Sequence, residues 1–98
     1  MNLYVIRRPS GWGTPEELQF AAARSKQVGD EEMPADIRWI RSYVVKEADG
    51  TLGTFFVYEA SSPEKIREHA ERAGIPATEI VEVAETVLVR PDPVAVAA

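Results

Sequence analysis

Residues Asp36-Ile37-Arg38-Trp39-Ile40-Arg41-Ser42-Tyr43-Val44-Val45-Lys46-Glu47, then Asp49-Gly50, then Thr54-Phe55-Phe56-Val57-Tyr58-Glu59-Ala60 decide the fold. Both apolar runs are dense in β-branched and aromatic residues, which suit a pleated, half-buried surface. Asp49-Gly50 between them is a type I′ turn signal, because both positions tolerate positive φ. The reading is a hairpin of strands 36–47 and 54–60. A two-residue turn sets Tyr43 opposite Phe56, Arg41 opposite Tyr58 and Val44 opposite Phe55.

Helix starts flank the hairpin on both sides. Upstream, Thr14-Pro15-Glu16-Glu17 combines an N-cap hydroxyl, a proline at the first helical position and a Glu three residues after the cap. Leu18, Ala21, Ala22, Ser25 and Val28 follow at helical spacing, predicting an amphipathic helix over 15–28 with a mostly small buried stripe. Downstream, Ser61-Ser62-Pro63-Glu64 repeats the cap-and-proline start. Ile66, Ala70 and Ala73 form a narrow inner stripe, and Gly74 with Pro76 stops this second helix.

The outer elements are strands. Leu3-Tyr4-Val5-Ile6 before Arg7-Arg8-Pro9 predicts a strand over 2–8, with Ser10 to Gly13 as a loop in which Trp12 plugs the sheet edge or covers a chamber. Ile80 to Arg90 predicts the last strand, and Gly29 to Ala35 an acidic, solvated connection that Pro34 keeps from continuing the helix. The order β-α-β-β-α-β predicts an α+β ferredoxin-like sandwich, a four-stranded antiparallel sheet with two helices on one face. Residues 1–90 form the single domain and 91–98 a flexible or partner-clasping C-terminal tail.

Strand alternation sorts the hairpin by face. Ile40, Ser42, Val44, Phe55, Val57 and Glu59 fall on one side and are assigned to the helices. Trp39, Arg41, Tyr43, Phe56 and Tyr58 fall on the other, an aromatic surface around one guanidinium. Left in water it would be an apolar patch larger than soluble monomers tolerate. A second copy packed sheet to sheet, as in a dimeric α+β barrel assembly, would cover it. The same space would serve as a small-molecule chamber, with Arg41 as anion anchor and Tyr43 and Tyr58 as hydrogen-bonding groups.

Composition excludes several classes. The 98 residues carry 11 Lys and Arg against 16 Asp and Glu, a net charge of −5 with no basic patch, so nucleic acid is not an expected partner. Absence of Cys removes disulfide scaffolds, thiolate metal sites and a cysteine nucleophile, and suits a cytoplasmic location. No apolar run approaches the ~20 residues of a membrane span. His69, the one histidine, sits at the edge of the second helix's stripe. There it either rests on apolar surface with one nitrogen wet or acts in metal ligation or proton transfer. Glu59 is expected to cap the second helix or pair with Arg67, with a general base as the other reading. The chain shows no phosphate loop, nucleophile elbow or paired-His motif.

Trp39-Ile40-Arg41-Ser42-Tyr43-Val44, Phe56-Val57-Tyr58-Glu59-Ala60, Ile66-Arg67-Glu68-His69-Ala70 and Arg72-Ala73-Gly74-Ile75-Pro76-Ala77 together resemble the small bacterial proteins of the domain of unknown function 4242 family. The resemblance runs from residue 1 to 90. It implies a ferredoxin-like homodimer and, for some members, nickel binding. It also implies His at position 41 and Cys at 56, where this chain has Arg41 and Phe56, so His69, Glu59 and Glu68 are the metal ligands it leaves. The leading expectation is a homodimeric binding protein that holds nickel or a small ligand between subunits, with no other cofactor. The alternative is a cofactor-independent isomerase, cyclase or oxygenase acting on a small aromatic or polyketide-like substrate. In that case Arg41 binds an anionic oxygen and Tyr43, Tyr58 or His69 moves the proton. A purely structural module would leave Arg41 and the tyrosines without a task.

Overall fold

The computed structural model describes residues 1–77 and 79–93. Strands β1 (Asn2–Trp12), β2 (Ile37–Lys46), β3 (Leu52–Ala60) and β4 (Glu79–Glu82) form one antiparallel sheet in the order β2-β3-β1-β4. Helices α1 (Pro15–Gln27) and α2 (Pro63–Ala73) pack on one side of it. This small α+β arrangement is consistent with a ferredoxin-like sandwich.

Both helix starts form as their sequences dictate. Thr14 Oγ1 accepts the Glu17 amide at 3.2 Å while Glu17 reaches back to the Gly13 amide at 2.9 Å, and Ser62 accepts the Lys65 amide at 3.3 Å. Helix α2 ends at Gly74, whose φ of 70° lies in the left-handed region that favours glycine. Helix α1 does not give way to a solvated loop. Val28–Glu32 continues as a single π-helical turn, closed by the Met33 amide on the Val28 carbonyl at 3.0 Å. Val28 and Met33 are buried by this turn, and its acidic side chains pair with Lys26, Arg24 and Arg72.

The hairpin differs from its predicted register in two places. Its connection is Glu47 to Thr51 and its last ladder pair is Lys46 with Leu52. The Asp49 carboxylate accepts both the Thr51 amide (3.0 Å) and hydroxyl (2.6 Å), which draws Thr51 into the turn, and Gly50 follows at φ 87°. Tyr43 therefore faces Phe55, and Val44 faces Thr54. Farther along, Arg41 pairs with Val57 but Trp39 with Tyr58, leaving Ile40 as the extra residue of a β-bulge.

That bulge moves the front of β2 from one face to the other. Trp39 turns toward the helices, its indole N–H donating to Ser42 Oγ at 2.7 Å, while Arg41 and Tyr43 stay on the open side. Phe56 and Tyr58 lie under the helices at 2% and 1% exposure, and Val57 and Glu59 lie on the open side. The predicted aromatic face is thus corrected: Trp39, Phe56 and Tyr58 belong to the core, and only Arg41 and Tyr43 remain outside it. The reason is volume. Helix stripes made of Ala21, Ser25, Ala70 and Ala73 leave space above the sheet that large rings fill and small aliphatic groups would not. Phe56 contacts Trp12 and Trp39 with ring centroids at 6.1 and 5.6 Å, so Trp12 is part of the core within a β1 longer than predicted.

Strand β4 is much shorter than 80–90. The Val83 amide donates to the Leu3 carbonyl at 2.8 Å, and β1 begins at Asn2, so little partner strand is left. From Val83 the chain crosses beneath the sheet's open face to Asp92, which meets residues of β2. Residues 91–93 of the predicted tail belong to this crossing, and 94–98 lie outside the described residues.

Candidate functional site

The crossing strap borders an open cavity of about 640 Å³ against the uncovered sheet face. Leu3 and Val5 from β1, Val57 from β3, and Val83 and Val87 from the strap give it an apolar lining. Ile40 and Arg41 both reach it because a bulge turns two successive side chains to one side. At the rim, Arg41 Nη1 donates to Asp92 Oδ2 at 3.0 Å, and the Tyr43 hydroxyl donates to the two Asp92 oxygens at 2.9 and 3.1 Å. Arg41 Nη1 also lies 3.3 Å from the Tyr43 oxygen. Tyr43 and Asp92 hold the guanidinium's proton more firmly than usual, raising its pKa. Two donors from one strand therefore converge on one carboxylate at the mouth of an apolar space. In the sequence Arg41 reads as an anion anchor and Tyr43, with Tyr58, as a hydrogen-bonding group; Asp92 is not singled out there, although its place between Pro91 and Pro93 is a signal of a rigid, presented side chain.

The other candidates lie across the sheet. Tyr58 Oη and Ser25 Oγ share a hydrogen bond of 2.8 Å, and His69 Nε2 lies 2.9 Å from the Ser25 carbonyl. His69 is 1% exposed, so neither nitrogen is wet, and its Nδ1 has no partner among the described residues. A ring nitrogen at the Ser25 carbonyl must carry the proton, which leaves Nδ1 as the lone-pair nitrogen. Burial pushes the imidazole pKa below its ordinary value near 6.5, opposed by the Ser25 carbonyl and assisted by the nearby Arg8 cation. Burial also raises the Tyr58 pKa, against the pull of Ser25 and Arg8.

Arg8 is the residue that sequence reasoning missed. Its guanidinium, 1% exposed, donates through Nε to the Pro76 carbonyl and lies 4.6 Å over the Phe56 ring. Both terminal nitrogens lack hydrogen-bond partners among the described residues, and burial lowers its pKa. A cation on an aromatic face recovers part of the lost hydration. Its position two residues beyond Ile6, on the same side of β1, is the signal that places it inside.

Glu59 and Glu68 join neither group. Glu59 pairs across the hairpin with Arg38 at 3.1 Å, not with Arg67 or the α2 terminus. Glu68 pairs with Arg72 at 3.0 Å and Lys65 at 3.4 Å. The candidates thus divide in two. Arg41 and Tyr43 stand on the open face, and Tyr58 and His69 are sealed beneath the helices.

An antiparallel sheet with two helices on one side and an open cavity on the other defines a small α+β fold. The chain belongs to the family described as "Nickel responsive protein SCO4226-like", which matches residues 4–83. The crystal structure of SCO4226 from Streptomyces coelicolor A3(2) superposes with a TM-score of 0.69 at 23% identity, covering 87% of this chain and 99% of that one. No curated protein matches the chain. Among the described residues, no helix is long and apolar enough to cross a membrane.

The family description raises nickel, and the donor set can be tested against it. Among the described residues, no three His, Asp or Glu side chains come together. His69 offers one nitrogen in a dry interior beside the Arg8 cation, while Glu59 and Glu68 are neutralised elsewhere by Arg and Lys. A divalent ion needs several donors and tolerates no adjacent fixed cation. The described residues of one chain do not fit a nickel centre.

Proposed function

We propose that the protein is a small homodimeric binding protein whose ligand site is the open sheet face, with Arg41 and Tyr43 as anchors for a negatively charged group. The observation that carries this reading is the convergence of both side chains on the Asp92 carboxylate at the mouth of the apolar cavity. A cavity of about 640 Å³ lies within the ~300–1,000 Å³ common for small-molecule sites. Exposed Ile40, Tyr43, Val81, Val87, Leu88 and Val89 on this side support a second copy as its further cover, in the manner of a dimeric α+β barrel. The resemblance to the domain of unknown function 4242 proteins and a cytoplasmic setting belong to the same reading.

A second reading, nickel held between copies, draws on the family alone. It would have to assemble its donors from two chains, with His69 freed from the interior. The enzymatic alternative retains Arg41 and Tyr43 but loses Tyr58 and His69 as proton carriers, because the sheet lies between the two pairs.

Calorimetric titration of nickel(II) into metal-free protein and into His69→Ala separates these readings. The proposal expects no saturable heat that depends on His69. A saturable heat in the wild type that vanishes in His69→Ala would overturn it in favour of nickel. Sedimentation checks the dimer: the wild type runs at twice 10.8 kDa and Val81→Glu as a monomer. A monomeric wild type contradicts the assembly.

A further inference from the structure

Resting on the open-face reading, we infer that the natural ligand is an aliphatic carboxylate and that Asp92 is its built-in stand-in, a latch that the ligand must displace. The Asp92 carboxylate already occupies the position a ligand's carboxylate would take, receiving one guanidinium N–H and the Tyr43 hydroxyl. Behind that anchor the cavity wall is aliphatic, with Leu3, Val5 and Val57 on the sheet. An acyl chain running inward from the anchor would lie along these groups, with Glu85, Thr86 and Arg90 on the strap side of the space. The pairing of a charged rim with an aliphatic interior selects a molecule that has one charged end and one apolar end.

The strap is held loosely, as a displaceable latch must be. Within one chain Val87, Leu88 and Val89 are 78%, 71% and 79% exposed, so the chain itself gives the roof little apolar burial against the sheet. Arg41 and Asp92 are each about half exposed, at 47% and 53%, and an ion pair so wetted contributes little. The latch therefore taxes ligand affinity by the fraction of time it is closed and does not abolish it.

Calorimetry with octanoate and with octanol as probes, on wild type, Asp92→Asn and Arg41→Gln, tests this. Asp92→Asn should bind octanoate about two- to fivefold tighter than wild type, while Arg41→Gln should lose at least tenfold for octanoate and nothing for octanol. Equal or weaker octanoate binding by Asp92→Asn overturns the latch, as does an Arg41→Gln variant that matches wild type. Octanol binding as tightly as octanoate to wild type and Asp92→Asn overturns the carboxylate class and leaves the open-face site standing. No saturable heat from either probe with any variant removes both the inference and the small-ligand reading on which it rests.

Discussion

The two faces of the sheet use the same side-chain chemistry to opposite ends. Beneath the helices, Tyr58, Ser25, His69 and Arg8 form a polar group wholly withdrawn from water, closed in by Phe56, Trp12 and the small helix stripes. On the open face, Tyr43, Arg41 and Asp92 form a polar group of similar composition, roofed only by a thin strap. A buried hydroxyl or imidazole that loses its partner costs the fold directly, whereas an exposed one exchanges its partner for water or a ligand. Burial, more than residue type, separates the structural tyrosine from the one available for binding.

The sharpest break of this contrast is Phe56→Ala. It empties the centre of the core, where Trp12, Trp39, Tyr58 and Arg8 all meet the ring, and should cost about 3–5 kcal/mol in urea unfolding. A loss below 1 kcal/mol would mean that the aromatic side of β3 is not the packed one.

Next in size is the pH response of the sealed side. His69 has its folded pKa lowered, so the unfolded chain takes up a proton first as pH falls. Its contribution is present above the unfolded value near 6.5 and is lost as pH drops from there toward the lower folded value. The slope approaches about 1.4 kcal/mol per pH unit for one proton. Urea midpoints measured from pH 7.5 to 5 should fall in the wild type and flatten in His69→Gln. An identical slope in both would place the titrating group elsewhere.

Tyr58→Phe removes the hydrogen bond to Ser25 and should cost about 1–2 kcal/mol by the same assay. Tyr43→Phe, which removes the bonds to Asp92, should leave the unfolding midpoint where it is. Equal effects of the two substitutions would erase the distinction between the faces.

Local signals carried much of this architecture into the sequence. Thr14-Pro15 and Ser62-Pro63 mark both helix starts, Gly74 marks a helix end, and the β-α-β-β-α-β order follows from the alternation of patterns. Face assignment did not follow, because Thr51 joins the turn and shifts the register by one, which puts Phe56 and Tyr58 on the face opposite Arg41 and Tyr43, and because one bulged residue, Ile40, turns Trp39 over without any glycine or proline to announce it. The Ala-rich helix stripes held the missing clue, since small helix residues require large partners on the sheet. Arg41 and Tyr43 were readable as a pair from their spacing along one strand. Asp92 was not, because it meets them from 51 residues away, after β4 stops early and the chain folds back under the sheet.

Ligand that enters on the open face should leave the helix side untouched. An amide chemical-shift map of the wild type titrated with octanoate tests it most directly. Shifts should gather at Leu3, Val5, Arg41, Val57 and the strap from Val83 to Asp92, with Ser25, Tyr58 and His69 unmoved. Shifts centred on Ser25 and His69, with the open face silent, would contradict it.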